Sequence, residues 1–172
     1  MRVVLIGFMG AGKTSYGREL ATLLDLPFLD LDEYIVGRTG QSIQELFEQY
    51  GEQHFRELEH ATLLSLLSLP YFVLATGGGA PCYGDTINLL NRTATTVYLE
   101  FSAEDLVERL RGSVASRPLL AEVPDLLASV SSRLAERQAC YRRAQHCVPL
   151  DNQATDVARS LHDLLGGPPP PQ

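Results

Sequence analysis

The chain has 172 residues, 45% of them hydrophobic and 20% charged, which fits one soluble globular domain with a core of its own. A formal net charge of −7 argues against a general nucleic-acid surface, which would need a basic face. No apolar stretch reaches the ~20 residues of a membrane span, and the short run Val3–Met9 reads as a buried strand rather than a secretory signal.

Strands and helices alternate along the chain. Arg2–Ile6 is a strand without polar residues after Arg2, as in a parallel strand covered on both faces. Lys13–Leu24 follows as a helix with Tyr16, Leu20, Leu23 and Leu24 at helical spacing, and Pro27 closes it. "FLDLD" reads as a second strand ending in acids. Ser42 opens a long helix, with Glu45 placed for a capping box, and Gly51 marks an interruption before the helix resumes to Leu69. Pro70 ends it, and "YFVLA" makes a third strand that runs into "TGGG". Ile87–Asn91 is a short helix, "TTVYLEF" a fourth strand, and Ala103–Leu110 a helix started by Ser102. The stretch from Gly112 to Pro124 has little periodicity and reads as a mobile loop. A helix over Leu126–Arg143, a fifth strand in "CVPL" and a helix over Asp156–Leu165 complete the pattern. The tail "GGPPPPQ" is expected to be disordered, because prolines join neither helix nor ladder. The alternation predicts a single α/β domain over residues 1–166, a five-stranded parallel sheet sandwiched by helices, with sites at the carboxyl ends of the strands.

The most specific motif is "GFMGAGKT", Gly7 to Thr14, which satisfies GxxxxGK(S/T) between a strand and a helix. Glycines let backbone N–H groups of Gly10, Ala11 and Gly12 turn toward phosphate, and the helix N-terminus adds partial positive charge. Lys13 would reach the β- and γ-phosphates, the Thr14 hydroxyl would bind magnesium, and Ser15 would add an α-phosphate contact. The chain has 13 arginines and one lysine, and that lysine lies in this loop, where a compact ammonium fits between phosphate oxygens. The motif implies a bound nucleoside triphosphate.

A hydrolytic motor or switch would place an acid directly after a core strand. "YFVLA" instead meets Thr76 and three glycines, so the polar equipment is arranged around a second ligand. Asp30 and Asp32, two apart, would share one face of an extended segment; one is suited to magnesium and the other to a substrate hydroxyl. Arg56 and Glu59 lie three apart on a helix and, taken alone, read as a surface pair. The glycine triplet permits close approach of backbone to a ligand. Cys82, Cys140 and Cys147 show no CxxC spacing and are expected to be reduced thiols in a cytoplasmic protein.

Taken together and in order, "GFMGAGKTS", "FLDLDEYI", "FRELE", "ATGGG", "RPLL" and "ERQACYRRA" resemble the shikimate kinase family over roughly Arg2 to Leu165. Pro81 departs from the aliphatic residue more usual after the glycines. The resemblance implies transfer of the ATP γ-phosphate to the 3-hydroxyl of shikimate, with Mg2+, in a cytoplasmic monomer. It implies that Asp32 is the base and binds the ring hydroxyls, and that Asp30 joins Thr14 in holding the metal. Arg56 and Arg137 would clamp the substrate carboxylate with the N–H groups of Gly78 and Gly79, and Glu59 would orient Arg56. Arg117 would close over the phosphates from a lid spanning about residues 112–124. An arginine at the start of that lid would lie against adenine: Arg111 matches, with Arg109 as the alternative. "PLDNQA", including Asn152, would supply the rest of the adenine pocket.

Overall fold

The computed structural model describes residues 1–112 and 125–166. The expected lid, except for Gly112, therefore lies outside the described residues, as do Arg117 and the proline-rich tail.

Five strands form one sheet: β1 (Arg2–Ile6), β2 (Phe28–Asp30), β3 (Phe72–Ala75), β4 (Thr95–Glu100) and β5 (His146–Pro149). Their order is β2-β3-β1-β4-β5, and every neighbouring pair is parallel. β1 is central, and Val3, Val4, Leu5 and Ile6 are completely buried. Burial of each such side chain contributes roughly 1.5–3 kcal/mol, which explains a strand with no alternation of polar residues. The first crossover carries the chain beyond β3, whereas β4 lies on the other side of β1. Loops leaving the carboxyl ends of β1 and β3 consequently diverge and open a crevice.

Among the described residues the helices are α1 (Lys13–Leu24), α2 (Leu31–Thr39), α3 (Ile43–Leu67), α4 (Thr86–Thr93), α5 (Ala103–Gly112), α6 (Leu126–Tyr141) and α7 (Val157–Leu164). α1 packs on β3 and α7, α2 on α3, and α5 on α6. The expected capping box is formed: the Ser42 hydroxyl accepts from the Glu45 N–H at 3.2 Å, and the Glu45 carboxylate accepts from the Ser42 N–H at 2.7 Å. Gly51 interrupts α3 as expected, with φ 81° and ψ 168°, a conformation open to glycine. No helix among the described residues is long and apolar enough to cross a membrane.

One expectation fails in a way that matters for the site. "FLDLD" is not extended throughout: β2 stops at Asp30, and Leu31 begins α2. The Asp30 side chain caps this helix, accepting from the N–H groups of Asp32 at 3.0 Å and Glu33 at 3.2 Å. Asp30 and Asp32 therefore do not share one face of a strand; Asp32 stands in the first turn of a helix. Smaller differences lie at element ends: α3 stops at Leu67, α4 spans Thr86–Thr93, α6 stops at Tyr141 and β5 begins at His146. A short 3-10 turn at Ala80–Cys82 follows the glycine triplet.

Candidate active site

The loop after β1 folds back on itself. Gly10 and Gly12 both have φ 85°, and Gly12 caps α1 from this left-handed conformation. Side chains are strained there, so the two glycines let the loop turn its N–H groups toward the helix N-terminus. Lys13 is only 9% exposed, and its ammonium donates to the carbonyls of Gly7 and Phe8, each at 2.9 Å. The ammonium is thus held over the loop. Ser15 is exposed in the first turn of α1.

Thr14 sits beside the end of β2, and its hydroxyl donates to Asp30 Oδ2 at 2.7 Å. Asp30 divides its carboxylate, one oxygen to Thr14 and the other to the start of α2. A hydroxyl and a carboxylate at one spot form the hard-oxygen donor set that suits Mg2+, which retains water and phosphate oxygens as its remaining ligands. The described residues hold no group of three or more His, Cys, Asp or Glu placed for a metal.

A second set of polar groups gathers around the glycine triplet. Arg56 on α3 donates to Glu59 at 2.6 Å, one helical turn away. This is no surface pair: Glu59 is 2% exposed. Burial holds the Glu59 carboxyl above its ordinary value; Arg56 opposes the shift and the charge of Asp32 adds to it. A Cβ on Gly77 would stand 2.6 Å from Glu59 Oε1 and 3.0 Å from Asp32 Oδ1, so both acids converge on this backbone. A Cβ on Gly79 would stand 2.5–2.6 Å from the Arg56 guanidinium, and one on Gly78 would lie 3.5 Å from Arg137 Nη1. Gly77 and Gly79 therefore carry Glu59, Asp32 and Arg56 pressed against their backbone, whereas Arg137 meets Gly78 at ordinary contact distance. The rings of Phe47 and Phe55 lie under Arg56, at 5.7 and 5.4 Å from its guanidinium carbon, and Phe8 lies 5.9 Å from that of Arg137. Arg56, Gly79 and Arg137 line one cleft of about 490 Å³, together with Glu52, Gln53, Cys82 and Tyr83.

The residues read from sequence as the acceptor site are thus brought together. One contributor was missed. Tyr141, fully buried at the end of α6, donates its hydroxyl to Gly78 O at 2.5 Å and accepts a hydrogen bond from Arg137. Burial raises its phenol well above the ordinary range. The signal was available: Tyr141 lies four residues beyond Arg137, on the same helix face.

Arg109, not Arg111, reaches the phosphate loop, donating from Nε to Gly10 O at 2.8 Å and from Nη2 to the Tyr16 hydroxyl at 3.3 Å. Its guanidinium also covers the Phe101 ring at 4.7 Å. Arg111 is exposed at the end of α5. Asn152 donates to Asp105 O at 3.3 Å and to Glu108 at 2.8 Å, on the same helix, and its Oδ1 is buried without a hydrogen-bond partner. Asn152 thus belongs to the wall formed by α5.

Comparison with known proteins agrees with this arrangement. The family model described as "Shikimate kinase" matches residues 9–165. A shikimate kinase of Bacteroides fragilis is 42% identical over 168 residues, covering 95% of this chain and 94% of the relative. The crystal structure of shikimate kinase from Bacteroides thetaiotaomicron superposes with a TM-score of 0.91 at 36% identity, covering 96% of this chain and 98% of the other. That of Acinetobacter baumannii, solved in complex with shikimate, gives 0.86 at 37% identity over 96% and 93% of the two chains. With the phosphate loop, the buried arginine–glutamate pair and the glycine triplet in one crevice, the chain belongs to the shikimate kinase family.

Proposed function

We propose that this chain transfers the γ-phosphoryl group of ATP to the 3-hydroxyl of shikimate, giving ADP and shikimate 3-phosphate on the route to aromatic amino acids. The observation that carries the proposal is the direct abutment of an anion clamp on a phosphate loop. Arg137 lies over Phe8, and a Cβ on Gly78 would be 3.6 Å from Met9 N and 3.7 Å from Gly7 O. Donor and acceptor sites so close favour direct transfer between them.

The phosphates of ATP lie along the N–H groups from Gly10 to Ser15, and Lys13 exchanges its contacts with Gly7 and Phe8 for phosphate oxygens. Thr14 and Asp30 would hold Mg2+, which when bound would neutralise phosphate charge. Arg56 and Arg137 grip the shikimate carboxylate, each with a planar donor fork, while buried Glu59 fixes the fork of Arg56. Gly78 and Gly79 add backbone N–H groups. Asp32 hydrogen-bonds the ring hydroxyls and takes the proton of the 3-hydroxyl as its oxygen bonds to γ-phosphorus and the bond to the ADP oxygen breaks. Little covalent help is needed, because alignment and charge neutralisation dominate phosphoryl transfer. Arg117, outside the described residues, supplies further positive charge to the phosphates. Arg109 positions the loop through Gly10 and forms the adjoining wall of the nucleotide site. The chain works as a monomer, and three free thiols suit the reducing cytoplasm.

ADP release from Mg-ATP, measured with shikimate, with gluconate and with no acceptor, tests the proposal. Stimulation by shikimate alone is expected, and its loss in Lys13→Ala. Equal rates with all three would overturn it.

A further inference from the structure

Two of the three cysteines stand together beside the substrate cleft. Cys82 closes the 3-10 turn that follows Gly79, and its side chain lines the cleft with Arg56 and Arg137. Cys140 is in the last turn of α6, three residues beyond Arg137. The 3-10 turn packs against α6, the Cys82 thiol lies 3.9 Å from the Arg137 carbonyl, and a helix carbonyl adjoins the side chain three positions on, so the Cys82 and Cys140 thiols are neighbours and perturb each other. Both are half-buried, whereas Cys147 is exposed on β5 against the Arg142 carbonyl at 3.8 Å.

We propose that Cys82 and Cys140 form a reversible disulfide when hydrogen peroxide reaches the cleft, and that this bond disables the acceptor site. The chemistry is already partitioned between the two sulfurs. Hydrogen bonding from Cys82 holds the Cys140 thiol below its ordinary value, aided by the cations of Arg143 and Arg137. The Cys82 thiol is held above it by the same hydrogen bond and by burial. Cys140 is thus the attacking thiolate. Its sulfur bonds to one peroxide oxygen as the O–O bond breaks, leaving a sulfenic acid and, after protonation, one water. Cys82 then loses its proton and attacks that sulfur; the S–S bond forms, the S–O bond breaks, and a second water leaves. Two thiols and one peroxide give one disulfide and two waters.

Closure has a direct structural consequence. An S–S bond of ~2.05 Å is far shorter than any non-bonded contact of two sulfurs, so the turn carrying Cys82 is drawn toward α6. That turn begins at Gly79 and that helix carries Arg137, which are two of the groups on the substrate carboxylate. The effect on turnover rests on the clamp reading given above; the formation of the bond does not.

The test uses the full chain, its Cys147→Ser variant and Cys140→Ala, each treated with hydrogen peroxide and then with dithiothreitol. Peptide mapping is expected to find Cys82 linked to Cys140, with and without Cys147. The KM for shikimate should rise about tenfold or more, as expected for ångström-scale misplacement, while the KM for ATP stays constant. Dithiothreitol should reverse the change, and Cys140→Ala should show none. Cys82 and Cys140 both remaining alkylatable while Cys147 oxidises would overturn the proposal, as would linkage to Cys147 instead. A Cys82–Cys140 disulfide with unchanged shikimate KM would refute its control of the cleft. Absence of shikimate turnover before any oxidation would instead count against the assigned reaction, and the peptide map would still decide the disulfide.

Discussion

Gly79→Ala isolates the role of the glycine triplet. The backbone at Gly79 has φ −89° and ψ −24°, which alanine adopts freely, so conformational strain does not enter. The effect comes from one methyl group, which would stand 2.5–2.6 Å from three atoms of the Arg56 guanidinium. Carbon contacts settle at about 3.5–4.0 Å, so the guanidinium must retreat by roughly 1 Å. Its ion pair with buried Glu59 is only 2.6 Å long, and Glu52, 3.6 Å away on the solvent side, offers an alternative partner. The retreat therefore costs binding geometry more than folding stability. Deleting one partner of a buried charged pair costs about 2–5 kcal/mol; displacing it should cost somewhat less, about 1.5–3 kcal/mol. This corresponds to roughly 10- to 150-fold weaker shikimate binding. Titration calorimetry with shikimate and Mg-ATP in separate runs measures both affinities. An unchanged shikimate Kd, or equal weakening of both ligands, would refute the assignment of Arg56 to the acceptor.

Three further substitutions test the same geometry. Tyr141→Phe removes the hydroxyl bonded to Gly78 O and should cost about 1 kcal/mol of stability, with a several-fold higher shikimate KM and little change in kcat; a fall confined to kcat in steady-state assays would contradict this positioning role. For Glu59, burial raises the folded-state value above the ordinary 4.5, so the folded chain binds more protons than the unfolded chain across that interval. Its contribution to stability then falls as pH rises through the interval. Urea melts should show the stability of the wild type declining relative to Glu59→Gln as pH is raised from about 4.5, and a difference that stays flat would remove the argument. Gly37→Ala, exposed inside α2 with nothing within 4 Å of the added methyl, should raise stability by up to ~1 kcal/mol by thermal melt and leave turnover unaltered.

The phosphate loop was legible because its motif carries its own context, a strand before and a helix after. The acid pair Asp30 and Asp32 was harder. "FLDLD" alternates with period two and reads as strand, yet Leu31 and Ile35, four apart, equally mark the buried stripe of a helix. The tertiary partner decided: Asp30, held by Thr14, caps the N–H groups of Asp32 and Glu33, and the helix starts at Leu31. Which of Arg109 and Arg111 meets the phosphate loop turned on helix phase. Residues two apart point in directions about 200° different, so only one can face the loop. Leu110 fixes the phase, because its Cδ2 would lie 3.0 Å from a Cβ on Gly10, and Arg109 then falls onto Gly10 O. Single-sequence spacing carries no information on which loop a helix will meet.

Transfer between two ligands needs their sites held at one level, and the sheet register provides this. Leu5 of β1 and Asp30 of β2 both pair with Ala75 of β3, so the three strands end side by side. The phosphate loop, the Asp30–Asp32 turn and the glycine triplet therefore leave the sheet at the same height. Asp30 ties the first two together through Thr14 and the α2 N–H groups, and Gly78 lies against Gly7 to join the first and third. A shift of one residue in either pairing would turn every side chain to the opposite face and break both ties. The spacing between phosphate donor and acceptor is thus set by the same hydrogen-bonded ladder that builds the core. Substitutions in these buried strands should accordingly disturb stability and transfer together, whereas changes at Arg56, Gly79 or Arg137 act on the acceptor alone.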